Sequence, residues 1–183
     1  MRVVLLAGYL LAIPVLCSTT GLAQATASPS EMDRIFADDQ QARQPPDPNA
    51  PKALYPSDEE RLSATAKLLL ADKLQSGKDF EEAAIIFQHS HQPDDYLIAH
   101  TLSLIAISMG SQNAMWIATA SLDRYLMAIG KAQIYGTQFM TPQGKHATQE
   151  PYNRVLISDA LRKKLGVQSL AEQEAFRKQI DSE

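Results

Sequence analysis

Cysteine is nearly absent from this chain: Cys17 is the only one, and there is one tryptophan and only 7% aromatic residues in total. Cys17 falls within the opening stretch MRVVLLAGYLLAIPVLCSTTGLAQATASPS, so a chain trimmed of that stretch has no disulfide, no thiolate nucleophile and no thiolate metal ligand. A long hydrophobic run is missing too. The apolar residues 3–16 fall short of the roughly 20 that a membrane span needs, and Pro14 and Gly21 interrupt the stretch. With Arg2 ahead of it and Ala23-Gln24-Ala25 behind it, the segment reads as a signal peptide over residues 1–25, cut after Ala25 or after Ala27. A retained anchor is the alternative. Leu16 before Cys17 argues against lipidation, which favours a small residue there. The expectation is an exported protein, periplasmic or secreted, free of the membrane once the signal is removed.

An excess of positive charge is also lacking. Seventeen basic against 21 acidic residues give a net charge of -4, and removal of Arg2 makes it -5. Scattered lysines on an acidic chain give no footprint for nucleic acid or for an anionic membrane surface. Nucleophile and nucleotide motifs are missing as well: no Gly-x-Ser-x-Gly, phosphate loop, His-Glu-x-x-His or Rossmann glycine pattern occurs. No cofactor and no metal site is expected.

What remains, about 158 residues, is enough for one domain with its own core. Residues 26–56 hold one short helix, over 31–43, and a connector with five prolines between 45 and 56 that can be neither helix nor central strand. From residue 57 to 183 the apolar residues recur at helical spacing. Ser57-Asp58-Glu59-Glu60 is a capping box, starting a helix with Leu62, Ala66, Leu69 and Leu70 on one side and a stop at Gly77. Asp79 caps the next, with Phe80, Ala83, Ala84 and Phe87 inward. A third follows Pro93 with Ile98, Leu102, Ile105 and Met109, ended by Gly110. A fourth runs from Asn113 to Ile129 with Met115, Ala118, Leu122, Tyr125 and Ile129 inward, ended by Gly130. Ser158–Leu165 is a fifth, and Ser169-Leu170-Ala171-Glu172, a second capping box, opens the last. The fold class is therefore mostly α. "GKDFEEAAIIF" and "GSQNAMWIATA" begin 33 residues apart, a spacing similar to that of tetratricopeptide-like helical hairpins. An antiparallel helical bundle and a short array of such hairpins both fit.

Between Gly130 and Ser158 the helical period stops. Gln133, Tyr135, Thr137 and Phe139 alternate with Ile134, Gly136 and Gln138, and Thr141-Pro142-Gln143-Gly144 has the residues of a type I turn. The expectation is a β-hairpin or ordered loop over 133–148, resting on the helices because an isolated hairpin is marginal in water. Such insertions are often functional. Its uncharged hydrogen-bonding groups suit a peptide backbone or a small polar ligand. Equally, they can satisfy one another and pin the segment to the helix through Asp123 and Arg124. These two lie about 100° apart on the helix and so serve different partners. His89 and His100 are on neighbouring helices and can approach as an acid–base pair, or simply be held by helix-end carbonyls or water. The ligand-binding candidates are His89, Asp123, Arg124, Gln133, Tyr135, Thr137 and Gln138. The competing function is a hydrolase-type enzyme using His89 or His100 with Asp123; a third is a purely structural segment.

Several of these residues form a pattern. Asp39, Gln40 and Arg43, then Gln88-His89, then Asp123-Arg124 followed by Gln133-x-Tyr135-Gly136-Thr137-Gln138, and finally Arg162 with Leu165-Gly166-Val167, resemble the motifs of an uncharacterised bacterial domain-of-unknown-function family. The resemblance covers most of the chain after the signal, and Q-x-Y-G-T-Q is its specific part. It implies a helical domain and ranks residues, without implying a reaction.

Overall fold

The computed structural model describes residues 29–44, 55–143 and 146–182. The expected signal peptide and most of the proline-rich connector lie outside the described residues. Seven helices are present among them: α1 (Glu31–Ala42), α2 (Asp58–Leu70), α3 (Gly77–Gln88), α4 (Pro93–Ser108), α5 (Ala114–Ala128), α6 (Asp159–Lys164) and α7 (Leu170–Ile180). The protein is mostly α, as expected. No helix among the described residues is long and apolar enough to cross a membrane.

The helix starts are set by local hydrogen bonds. Ser30, Ser57, Ser76 and Ser169 each accept from the backbone amide three residues on, and Asp33, Glu60, Asp79 and Glu172 bond back to the cap amides. This corrects one expectation: Asp79 is the third residue of α3, and the cap is Ser76. Gly77 likewise opens α3 instead of closing α2, which ends at Leu70 and turns through Asp72 at φ +53°. Gly110 and Gly130 do follow their helices, at φ +96° and +72°, which glycine adopts without steric cost.

The core lies where α3 packs against α4, α1 and α2. Ala83, Ala84, Ile86 and Phe87 of α3 meet Ala99 and Leu102 of α4, with Met32, Leu68, Leu74 and Ile117 closing around them. α4 packs extensively against both α3 and α5. Two predicted stripes are met only in part. In α2 Leu62, Ala66 and Leu69 do pack against the core, but the most buried residues are Arg61, Thr65 and Leu68, and Leu70 is turned to solvent. In α5 the buried set includes Ala114, Ile117, Ala118 and Ser121, and on another side Thr119, Ala120 and Asp123; Ile129 is exposed, as is Met109 at the end of α4.

The burial of Arg61 in α2 has an electrostatic reason. Asp39 of α1, 1% exposed, accepts from Arg43 Nη2 at 2.8 Å, Arg43 Nε at 3.2 Å and Gln40 Nε2 at 3.0 Å. Arg61 Nε stands 3.2 Å away as an ion pair without hydrogen-bond alignment, and its other nitrogens bond Pro56 O and Asp58. His89 Nδ1 shares the same carboxylate at 3.2 Å. A buried carboxylate needs counter-charges, and Arg61 supplies one by turning inward. This cluster ties α1 to α2 and to the end of α3.

Burial pushes the Asp39 carboxyl up, but His89 and Arg43 together hold it down to about 2, from an ordinary 3.8. A depressed acid stabilises the fold above its unfolded value and loses that contribution as pH falls through its folded one. The difference corresponds to about 2 kcal/mol. Urea unfolding should show the wild type losing that stability between about pH 4 and pH 2. The Asp39→Asn variant should already lack it at neutral pH and show a flatter acid limb. Parallel pH profiles for the two proteins would contradict this assignment.

Candidate functional site

The segment after α5 does not build extended strands among the described residues. It is an ordered loop with two isolated bridges, Gln133 parallel to Tyr152 and Met140 antiparallel to Thr148. The second is the one place among the described residues where it pairs in hairpin fashion, with reciprocal 2.8 Å bonds; the amides of Ile134, Tyr135, Thr137 and Gln138 bond to side chains. Gly136, at φ +78°, turns the chain there, and its neighbours direct their amides toward one carboxylate instead of toward a partner strand.

That carboxylate is Asp123, fully buried in α5. Its Oδ1 accepts from the amides of Ile134 at 2.8 Å and Tyr135 at 3.1 Å. Its Oδ2 accepts from the Thr137 amide at 3.0 Å and the Thr137 hydroxyl at 2.8 Å. Four donors converge on the charge, which is how a buried anion without a cation is held.

Gln133, also fully buried, fastens the loop to itself. Its Nε2 donates to Gln138 O at 3.0 Å and to Gln149 O, and its Oε1 accepts from the Gln138 amide at 3.1 Å. Its backbone is bonded to Pro151 O and by the Asn153 amide. A third layer joins the loop to the C-terminal helices. Gln173 of α7 donates to Tyr135 O at 2.8 Å and to Gln168 O at 3.0 Å. The Tyr152 hydroxyl lies 3.0 Å from both Tyr135 O and Gln173 Oε1 and accepts from Arg162 Nη2 at 2.8 Å. Gln149 Nε2 donates to Gly136 O at 2.5 Å. Arg162 is fully buried, bonded also to Asp159 and Arg154 O, with its guanidinium 5.8 Å from the Tyr152 ring centre. At Gly136 an added Cβ would overlap Gln173 Oε1 and the Tyr152 phenol.

The seven candidates therefore divide. Asp123, Gln133 and Thr137 are engaged in fixing the loop. Tyr135 joins them through its backbone, while its half-buried phenol, with its pKa raised by burial and by the Asp123 charge, has no hydrogen-bond partner among the described residues. His89 belongs to the Asp39 cluster, and His100 Nδ1 lies 2.8 Å from Ala118 O. No hydrogen bond joins either histidine to the other or to Asp123. Gln149, Tyr152 and Gln173 carry no pattern visible in the sequence; Arg162 is marked only by the family resemblance.

Arg124 stands apart. It lines an open groove of about 490 Å³ with Tyr96, Met127, Ala128, Gln138, Phe139 and Met140. Its Nε is buried without an acceptor, and its guanidinium has no hydrogen-bond or ion-pair partner among the described residues. No group of three or more His, Cys, Asp or Glu side chains among these residues is arranged to hold a metal. Comparisons with protein-family models, with curated proteins and with solved structures find no match for this chain.

Removing the Asp123 carboxylate strands three backbone amides and a hydroxyl. Asp123→Ala should cost about 3 kcal/mol or more, read as a lower urea midpoint. Asp123→Asn should recover only part of it, because one accepting oxygen becomes a donor. Gly136→Ala should be destabilising through both overlap and φ. Unchanged midpoints in all three would show that the loop is not fixed in this way.

Proposed function

We propose that this chain is an exported helical binding module, receiving a peptide, a small polar ligand or a protein partner in the groove between α4, the end of α5 and residues 138–140. The single observation that carries the reading is Arg124. Buried polar groups in folded proteins are nearly always paired, and the neighbouring Asp123 has all the partners it can take. A half-buried guanidinium with no protein acceptor, on the lining of a groove, is free to bond a group from outside the fold.

The export part rests on the signal-like opening stretch, and the helical part is read as a bundle or a short tetratricopeptide-like array. The likeness to an uncharacterised bacterial family adds support only by singling out Asp123-Arg124 and Q-x-Y-G-T-Q. The hydrolase alternative, with His89 or His100 as base and Asp123 as orienter, draws no support from the hydrogen bonding, since each group has its own partner.

The reading separates Arg124 from its neighbours in a melting experiment. A residue reserved for binding contributes little to stability or even costs some. Arg124→Met should leave the melting temperature within about 2 °C of wild type or raise it. A fall of more than about 5 °C would make Arg124 part of the fold's support and remove the basis of the proposal.

A further inference from the structure

The groove has a chemistry specific enough to name what enters it. Resting on the binding-module reading, we infer that it receives the C-terminal end of a peptide: a free carboxylate on Arg124, the last amide N–H on Gln138 and an apolar terminal side chain among Met127, Phe139 and Met140.

Charge is the first argument. The groove residues include one cation, Arg124, and no acid. A planar guanidinium matches a carboxylate through two parallel N–H bonds, which a neutral ligand cannot reproduce. The second argument is an acceptor on a residue lining the same groove. Gln138 uses Nε2 to bond the Thr137 hydroxyl at 2.9 Å, while its Oε1 accepts from no donor among the described residues. The Asp123–Gln133 system fixes the backbone on both sides of this residue, so the amide is presented from a rigid support. A cation and a free acceptor on residues lining one groove suit a ligand that carries both a carboxylate and an N–H, as the last residue of a peptide does.

The third argument is the remaining wall. Met127, Ala128, Phe139 and Met140 are apolar, and Met140 is 37% exposed at the groove's edge. Methionines adapt to side chains of different shape, so the groove tolerates a range of apolar terminal residues. About 490 Å³ lies within the size range of small-ligand sites. It takes one or two residues and leaves the rest of the peptide outside. An acidic terminal residue is disfavoured by the apolar wall, and an amidated terminus by the loss of the charge pair.

The test is calorimetric titration of the full chain with three probes: N-acetyl-alanyl-leucine, its C-terminal amide, and octanoate. The acid should bind in the millimolar range or tighter, with the amide at least about tenfold weaker and octanoate weaker than the peptide acid because it lacks the N–H. Arg124→Gln should abolish the preference for acid over amide, and Gln138→Leu should remove the preference for the peptide acid over octanoate. Equal binding of acid and amide, octanoate binding as well as the peptide acid, or no heat from the acid at millimolar concentration each overturns the inference. The melting behaviour of Arg124→Met judges the module reading separately. If that variant melts like wild type and the acid shows no preference, only the peptide-terminus assignment fails.

Discussion

A carboxylate without a cation organises half of this protein. Asp123 projects from α5 into a space that holds no positive side chain bonded to it, and it survives there because four donors of the following loop close around it. The dependence is mutual. The loop amides are committed to one point and so do not pair as strands, and the buried Asp123 oxygens would lack partners without those amides. Placement of Gln138, Phe139 and Met140 along the groove follows from this bond set, as does the register in which Gln133 meets Tyr152.

The protein uses a second buried carboxylate in the opposite manner. Asp39 gathers side chains rather than amides, drawing Arg43, Arg61 and His89 into the junction of α1, α2 and α3. One acid shapes a loop and the other orients helices. Neither contributes an exposed reactive group, and together they absorb most of the residues that look chemically interesting in the sequence. Arg124, the Tyr135 phenol and the Gln138 side-chain carbonyl are left without partners among the described residues.

The helices were legible in the sequence because capping boxes and glycine stops are local, and Ser57, Ser169, Gly110 and Gly130 act where their patterns place them. Helix faces were less legible. Counting apolar residues in α2 chooses Leu62, Ala66, Leu69 and Leu70, but the buried face includes a charged residue, Arg61, whose partner lies on another helix. In α5 the count assumes a single inward face, whereas the helix is covered on more than one side and buries small residues. For the loop the sequence left two forms open, hairpin or ordered loop, and two uses of its polar groups, ligand binding or attachment through Asp123 and Arg124. The donors to Asp123 are mostly backbone amides, which carry no sequence signal, and Arg124 has no hydrogen bond to the loop among the described residues. Gln149, Tyr152 and Gln173 were invisible for a similar reason: each acts on a carbonyl or a hydroxyl far along the chain, and nothing in their spacing announces it.

Gln173 reaches from α7 back to Tyr135 O across 38 residues of chain, so the bonding of the loop is complete only when the C-terminal helix is in place. The C-terminal helix completes the loop rather than decorating it. Phe176 of the same helix meets Phe139 edge-on at 5.1 Å, so a chain lacking α7 would leave the Phe139 wall of the groove without that support.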